Sequence, residues 1–102
     1  MLPQAGQLPT TSAALYTVPA KFSARLEWLQ LVVVTPATVL LYATVRGRQV
    51  KLIASTALDA GLVNVLEGMP LRLGAGDIIS GVSTQTDTDF FITGEELRNE
   101  GN

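Results

Sequence analysis

The sequence predicts an all-β protein, a single jelly-roll-like β-sandwich of about seven or eight short antiparallel strands. Two observations lead to this fold class. Strand-like runs recur roughly every ten residues, with turn-forming glycine, proline and aspartate between them. No stretch shows the apolar period of an amphipathic helix. A chain of 102 residues has room for one hydrophobic core, so we expect one domain.

Residues 1–12 are predicted to form an extended N-terminal arm. The segment holds two of the five prolines, together with Gly6 and three hydroxyl side chains, a composition that favours extended chain without packing of its own. Two arrangements are open: the arm folds back along its own domain, or it reaches a neighbouring subunit. In the second arrangement its apolar residues are the candidate partner contacts, namely Leu2, Pro3, Leu8 and Pro9.

The sandwich is assigned to residues 13–97, and its longest predicted strand runs from Lys21 to Val34. Apolar side chains fall on even-numbered positions from Phe22 to Trp28 and on odd-numbered positions from Leu29 onward. A slip of one residue within a strand predicts a β-bulge at Trp28. The other predicted strands are 13–18, 38–45, 50–56, 62–66, 71–73, 78–82 and 89–93.

A hairpin turn is predicted at Gly47, because hairpin turns need positive φ angles and glycine supplies them. Arg46 and Arg48 flank this glycine. Two arginines beside a turn suit a phosphate or a carboxylate ligand, although solvent exposure is the favoured interpretation.

The second half of the sandwich is predicted to contain two interruptions. Ala60-Gly61 and Gly76-Asp77 are turn dipeptides, and Glu67 to Pro70 is expected to break the strand between them. From Gly94 onward the chain is charged and is interpreted as a loose end, with residues 98–102 as a tail outside the sandwich.

Charge and hydropathy argue against nucleic-acid and membrane partners. The net charge is −2, and the seven cations are scattered along the chain without a basic stripe. No apolar run approaches the roughly 20 residues needed to span a bilayer. The N-terminus lacks the basic start and apolar middle of a signal peptide, so we expect a protein made in the cytoplasm.

The chain is nevertheless rich in apolar residues. They make up 47 % of the sequence, whereas charged residues make up 16 %, against about 25 % in typical soluble domains. Two explanations stay open: a dense β core, or apolar surface that a partner covers.

No set of residues suggests catalysis. Cysteine and histidine are both absent, which removes thiolate metal sites and the commonest general base, and leaves serine and threonine without an activating group. Asp87 and Asp89 form the acid cluster nearest to a cation site, but they lack the spacing of a calcium loop. We therefore predict a protein that is not an enzyme and that holds no cofactor or metal.

Several segments, taken together, resemble small virion proteins of tailed bacteriophages. In that family "LYTVPAG" leads into an "ARV" strand, and this chain has Leu15 to Ala20 followed by Ala24-Arg25-Leu26. Further matches are Leu58-x-Ala60-Gly61, Gly68-x-x-Leu71-x-Leu73-Gly74-Ala75-Gly76-Asp77-x-Ile79 and Phe90-x-Ile92-x-Gly94. The similarity spans residues 13–96, and it departs from the family at Lys21 and at Val32 to Val34.

The resemblance implies a non-enzymatic component of a phage particle, located in the virion. Its first implication is a capsid decoration or cement protein, a homotrimer that binds the major capsid protein and sister subunits. The alternative is a tail or fibre component, in which a carbohydrate-binding module stacks Trp28 and Tyr42 on a host surface glycan. The competing interpretation of Trp28 is a core or rim hydrophobe.

Overall fold

The computed structural model describes residues 2–98, with residues 66–70 described as backbone only. The described chain is built of strands and contains no helix. The eight strands are β1 (Gln4–Gln7), β2 (Ala13–Thr17), β3 (Phe22–Val33), β4 (Ala37–Val45), β5 (Arg48–Leu58), β6 (Gly61–Leu73), β7 (Ile78–Ser83) and β8 (Thr88–Arg98).

The strands pair as a rolled-up antiparallel ribbon. The first strand pairs with the last, β2 with β7, β3 with β6, and β4 with β5. Rolling the ribbon produces two four-stranded sheets, sheet I in the order β1-β8-β3-β6 and sheet II in the order β2-β7-β4-β5. Eight strands in two such sheets form the jelly-roll architecture. The predicted all-β sandwich is confirmed.

The core lies between the central strands of the two sheets. In β3 and β4 the side chains alternate between buried and more exposed, and Leu29 and Leu41 are fully buried. The pairing register of β3 shifts between Leu26 and Trp28 in both of its ladders, so the predicted bulge is present. Beyond the bulge, Leu29 and Leu31 point into the core.

The predicted N-terminal arm lies along its own domain. Residues 4–7 form β1, the edge strand of sheet I, and Leu8 is only 2 % exposed within the core. The backbone N–H of Leu8 donates to the Thr88 carbonyl at 2.7 Å, and that of Ser83 donates to the Pro9 carbonyl at 2.9 Å. The segment therefore has packing of its own, which corrects the expectation drawn from its composition.

Strands β5, β6 and β8 are longer than the sequence predicts, and in β6 and β8 the difference changes the interpretation of a segment. The interruption expected at Glu67 to Pro70 is absent, because β6 runs through it. Between the pairs Trp28–Glu67 and Leu26–Leu71 the ladder skips several residues of β6, a bulge on an edge strand where proline is tolerated. The charged end from Gly94 to Arg98 belongs to β8 and pairs with β3, whereas residues 99–102 of the predicted tail lie outside the described residues.

Asp77 joins two turns at one end of the sandwich. The turn at Arg46 and Gly47 has φ angles of 53° and 78°, so the predicted hairpin turn is present. Buried Asp77 accepts hydrogen bonds from the backbone N–H of Arg46 at 3.1 Å and of Gly74 at 2.8 Å. Its two carboxylate oxygens therefore hold the β4–β5 turn against the β6–β7 turn.

Tyr16 ties the two sheets together near the N-terminus. Its hydroxyl donates to Glu96 Oε2 at 2.7 Å, and the backbone N–H of Leu2 donates to Glu96 Oε1 at 3.4 Å. Burial and the adjacent carboxylate raise the pKa of Tyr16 far above its usual value. The hydroxyl therefore stays protonated and continues to donate throughout the physiological pH range.

Candidate interaction surface

The outer face of sheet I, which is turned away from sheet II, carries a set of exposed apolar side chains. Seven large apolar side chains are exposed within the part of the chain whose side chains the structure describes. Five of them lie in strands of sheet I at positions that alternate with core positions: Trp28, Val32, Leu62, Phe91 and Leu97.

The pairing registers place most of these side chains in adjoining rows. Val32 is paired with Leu62 on one side and with Asp89 on the other. In the next row Gln30 is paired with Asn64 and Phe91, and the Gln30 amide donates to Asn64 Oδ1 at 2.9 Å. Trp28 follows in the row beyond. Apolar side chains therefore surround one internally satisfied polar pair.

This face is large enough to be an interface. The three long strands β3, β6 and β8 stand about 4.8 Å apart and rise about 3.3 Å per residue, which gives a face of roughly 14 Å by 35 Å, or about 500 Å². This area includes polar side chains such as Gln30, Asn64 and Asp89, so the apolar side chains cover only part of it. The largest exposed apolar patch of a monomer is typically about 300–600 Å² and often marks an interaction site. If a partner covers part of the apolar surface, the outer face of sheet I is the place where it would bind.

Charged side chains border one end of the outer face. Arg25 forms ion pairs with Glu27 at 2.8 Å and with Glu95 at 3.6 Å. All three side chains are at least a third exposed, so these pairs contribute little to folding stability. These ion pairs hold the three charged side chains together as a polar border beside the apolar side chains of the outer face.

The four residues of the N-terminal segment that were predicted to contact a partner differ in their burial. Leu8 is a core residue and offers no surface to a partner. Leu2 and Pro9 are half-buried, and Leu2 packs against the core, whereas Pro3 is exposed.

The two predicted aromatic contacts lie on opposite sides of the sandwich. Trp28 is 39 % exposed on the outer face of sheet I. Tyr42 lies on β4 and projects from the outer face of sheet II, where its hydroxyl is 2.7 Å from Ser12 Oγ. The two rings therefore cannot form one stacking platform. The aromatic residue that shares a face with Trp28 is Phe91, which sequence reasoning did not single out.

The acid cluster is likewise divided. Asp87 lies in the β7–β8 turn, where its Oδ2 accepts a hydrogen bond from Thr35 Oγ1 at 2.6 Å, and Asp89 lies in β8. Among the described residues no group of three His, Cys, Asp or Glu side chains is arranged to hold a metal ion. No helix that could cross a membrane occurs between residues 2 and 98.

No protein-family model and no curated protein sequence matches the chain. A solved structure that aligns with it is that of a pentameric capsid protein isolated from metagenomic phage sequences. The identity is 15 %, the TM-score is 0.48, and the alignment covers 98 % of this chain and 64 % of that chain. The chain thus spans less than two thirds of that protein. A TM-score below 0.5 at this identity establishes neither a common family nor a common activity.

Proposed function

We propose that this chain is a structural protein of a bacteriophage particle, and specifically a capsid decoration protein that binds the shell formed by the major capsid protein. The observation that carries the proposal is the apolar outer face of sheet I. When a partner covers these exposed apolar side chains, they are removed from water, which stabilises the complex. The resemblance of residues 13–96 to small virion proteins supports a phage particle as the setting.

The fold suits a protein that acts by contact alone. Its core is closed by its own eight strands, so the outer face of sheet I is not needed for folding and is available to a partner. A shell presents the same site many times, and sister subunits that associate as a trimer would bind several sites together. Multivalent attachment of this kind makes individually weak contacts effective.

The exposure of Trp28 also favours a second candidate, a tail or fibre component that binds a host surface glycan. Trp28 and Phe91 lie on one face, and exposed aromatic rings bind the apolar faces of sugars. In this alternative Tyr42 has no part, because it lies on the other sheet. The two candidates differ in what they bind. A decoration protein binds phage heads from which it is missing, whereas a tail or fibre component binds tails or glycans.

Replacing Trp28 with alanine is expected to abolish most binding to the shell. Purified protein is added to phage heads that lack it, and the bound fraction is measured by co-sedimentation. Removing a central aromatic residue from an interface typically costs about 2 kcal/mol or more, so we expect affinity to fall roughly 30-fold.

Tyr42→Ala provides the matched control, because it removes an aromatic side chain from the opposite outer face. It should bind heads like the unmodified protein, and both variants should retain the fold in circular dichroism. Unchanged head binding by Trp28→Ala would remove the outer face of sheet I from the proposal. Loss of glycan binding in the same variant would favour the second candidate.

A further inference from the structure

The fold sorts the charged residues along the strand axis. All seven cations lie in the half of the sandwich that contains the β2–β3, β4–β5 and β6–β7 turns, which we call the cationic half: Lys21, Arg25, Arg46, Arg48, Lys51, Arg72 and Arg98. The opposite end is formed by the turns at 34–36, 59–60 and 84–87. It carries Asp59, Asp87 and Asp89 and none of the cations.

The four acids that the structure describes in the cationic half each have a partner within the domain. Asp77 is buried and accepts two backbone hydrogen bonds, and Glu96 accepts from Tyr16. Glu27 and Glu95 are paired with Arg25. The exposed cations in this half are Lys21, Arg46, Arg48, Lys51, Arg72 and Arg98. Among the described residues of this half, the seven cations outnumber the four acids, so its net charge is positive, whereas that of the whole chain is −2.

Two of these arginines line one cleft. Arg46, Arg72 and Asp77 border a cleft of about 450 Å³ between the β4–β5 and β6–β7 turns, and both carboxylate oxygens of Asp77 accept hydrogen bonds from backbone N–H groups. Asp77 fixes the backbone of Arg46 through the hydrogen bond at 3.1 Å, so the rim of the cleft is held in place. Guanidinium groups match carboxylates in geometry and charge.

The cleft is continuous with the apolar outer face of sheet I. Arg72 pairs with Arg25 across β6 and β3, and both side chains project from that face. Arg72 therefore belongs to the cleft and to the outer face together. One partner that carries apolar side chains beside carboxylates would cover both surfaces.

We infer that the cationic half is a docking surface for an acidic protein surface and that the cleft between Arg46 and Arg72 receives a carboxylate. The inference rests on the proposed function in taking the shell as the partner. Charge complementarity favours a protein over nucleic acid. DNA presents evenly spaced phosphates that a stripe of cations follows, whereas here the cations adjoin exposed apolar side chains on the outer face of sheet I, which match a protein surface.

The test compares two pairs of substitutions that change the net charge equally. Arg46→Gln with Arg72→Gln removes two positive charges from the cleft, whereas Gln85→Glu with Thr86→Glu adds two negative charges at the acidic end. Head binding is measured between 50 and 200 mM NaCl. The arginine pair should weaken binding on the order of tenfold and flatten its salt dependence, while the control pair stays near the unmodified protein.

A second measurement needs no phage particle. The unmodified protein should bind polyglutamate at 50 mM NaCl, and the arginine pair should not. Heads bound equally well by the arginine pair at every salt concentration would overturn the docking surface and leave the proposed function standing. Failure of the unmodified protein to bind heads, with polyglutamate binding intact, would count against the proposed function alone. Absent polyglutamate binding, or stronger binding to a 20-base-pair DNA duplex, would overturn the inference itself.

Discussion

Gly94→Ala is expected to remove much of the stability of this domain. Gly94 lies in β8 opposite Leu26, next to the bulge of β3. A Cβ atom added there would be 2.1 Å from the Arg25 carbonyl oxygen and 2.9 Å from the Leu26 Cα. Both contacts are with backbone, so no side chain can rotate away, and the two central strands of sheet I would have to separate. We expect a loss of about 3 kcal/mol, the upper end of the cost of overpacking, because the contacts are with backbone.

Gly74→Ala is the matched control for this prediction. A Cβ atom at Gly74 would meet nothing closer than the Asp77 Oδ2 atom at 3.7 Å, which is ordinary contact. Urea unfolding of both variants gives the comparison. The Gly94 midpoint should fall by more than about 1 M, and the Gly74 midpoint should stay near that of the unmodified protein. A Gly94→Ala protein as stable as the original would contradict the close approach of β3 and β8.

Deletion of residues 1–9 is expected to destabilise the whole sandwich. The deletion removes β1, the core side chain of Leu8, and the backbone hydrogen bonds to Thr88 and Ser83. Loss of a buried leucine alone costs about 2 to 5 kcal/mol, and β8 would become an unprotected edge strand. Total stabilities of such domains are about 5 to 15 kcal/mol, so the shortened protein should be largely unfolded at 37 °C.

Single substitutions separate the contribution of the buried Leu8 side chain from that of an exposed side chain on β1. Leu8→Ala should lower the urea midpoint strongly, whereas Gln7→Ala, at an exposed position of β1, should leave it nearly unchanged. A fully stable protein after deletion of residues 1–9 would mean that the segment is a free arm, as its composition suggests.

Local patterns in the sequence predicted the parts of the fold that local chemistry determines. The change of phase at Trp28 predicted the bulge, because alternation records which face of a strand is buried. Gly47 predicted the hairpin turn, since few other residues adopt its backbone conformation easily. Neither prediction required knowledge of which strands pair.

Pairing between distant segments accounts for the predictions that failed. The first strand has a loop-like composition and is a strand because β8 offers a partner. The composition of the stretch from Gly94 to Arg98 is typical of a solvated tail. In the structure this stretch pairs with β3, and Glu95 forms an ion pair with Arg25. Contacts across most of the chain length decide both cases, and no local pattern records them.

The candidate surface was only partly predictable for the same reason. Trp28 was identified from the sequence, but Val32, Leu62 and Phe91 join it only when β6 and β8 pair with β3. The cations appear scattered along the sequence and are gathered by the fold, because alternate turns of an antiparallel protein fall at the same end. The sequence signal that points to a covered outer face is the run of consecutive apolar residues from Leu31 to Val34, because side chains of a strand alternate between its two faces.

Copy number in the virion tests the central proposal most directly. Purified virions of the phage that encodes this chain are digested, and the chain is quantified against the major capsid protein by mass spectrometry. If the chain is a decoration protein, we expect on the order of hundreds of copies per particle, close to the number of major capsid protein subunits. A handful of copies would place the chain in the tail or at a vertex. Absence from purified virions would contradict a structural role in the particle.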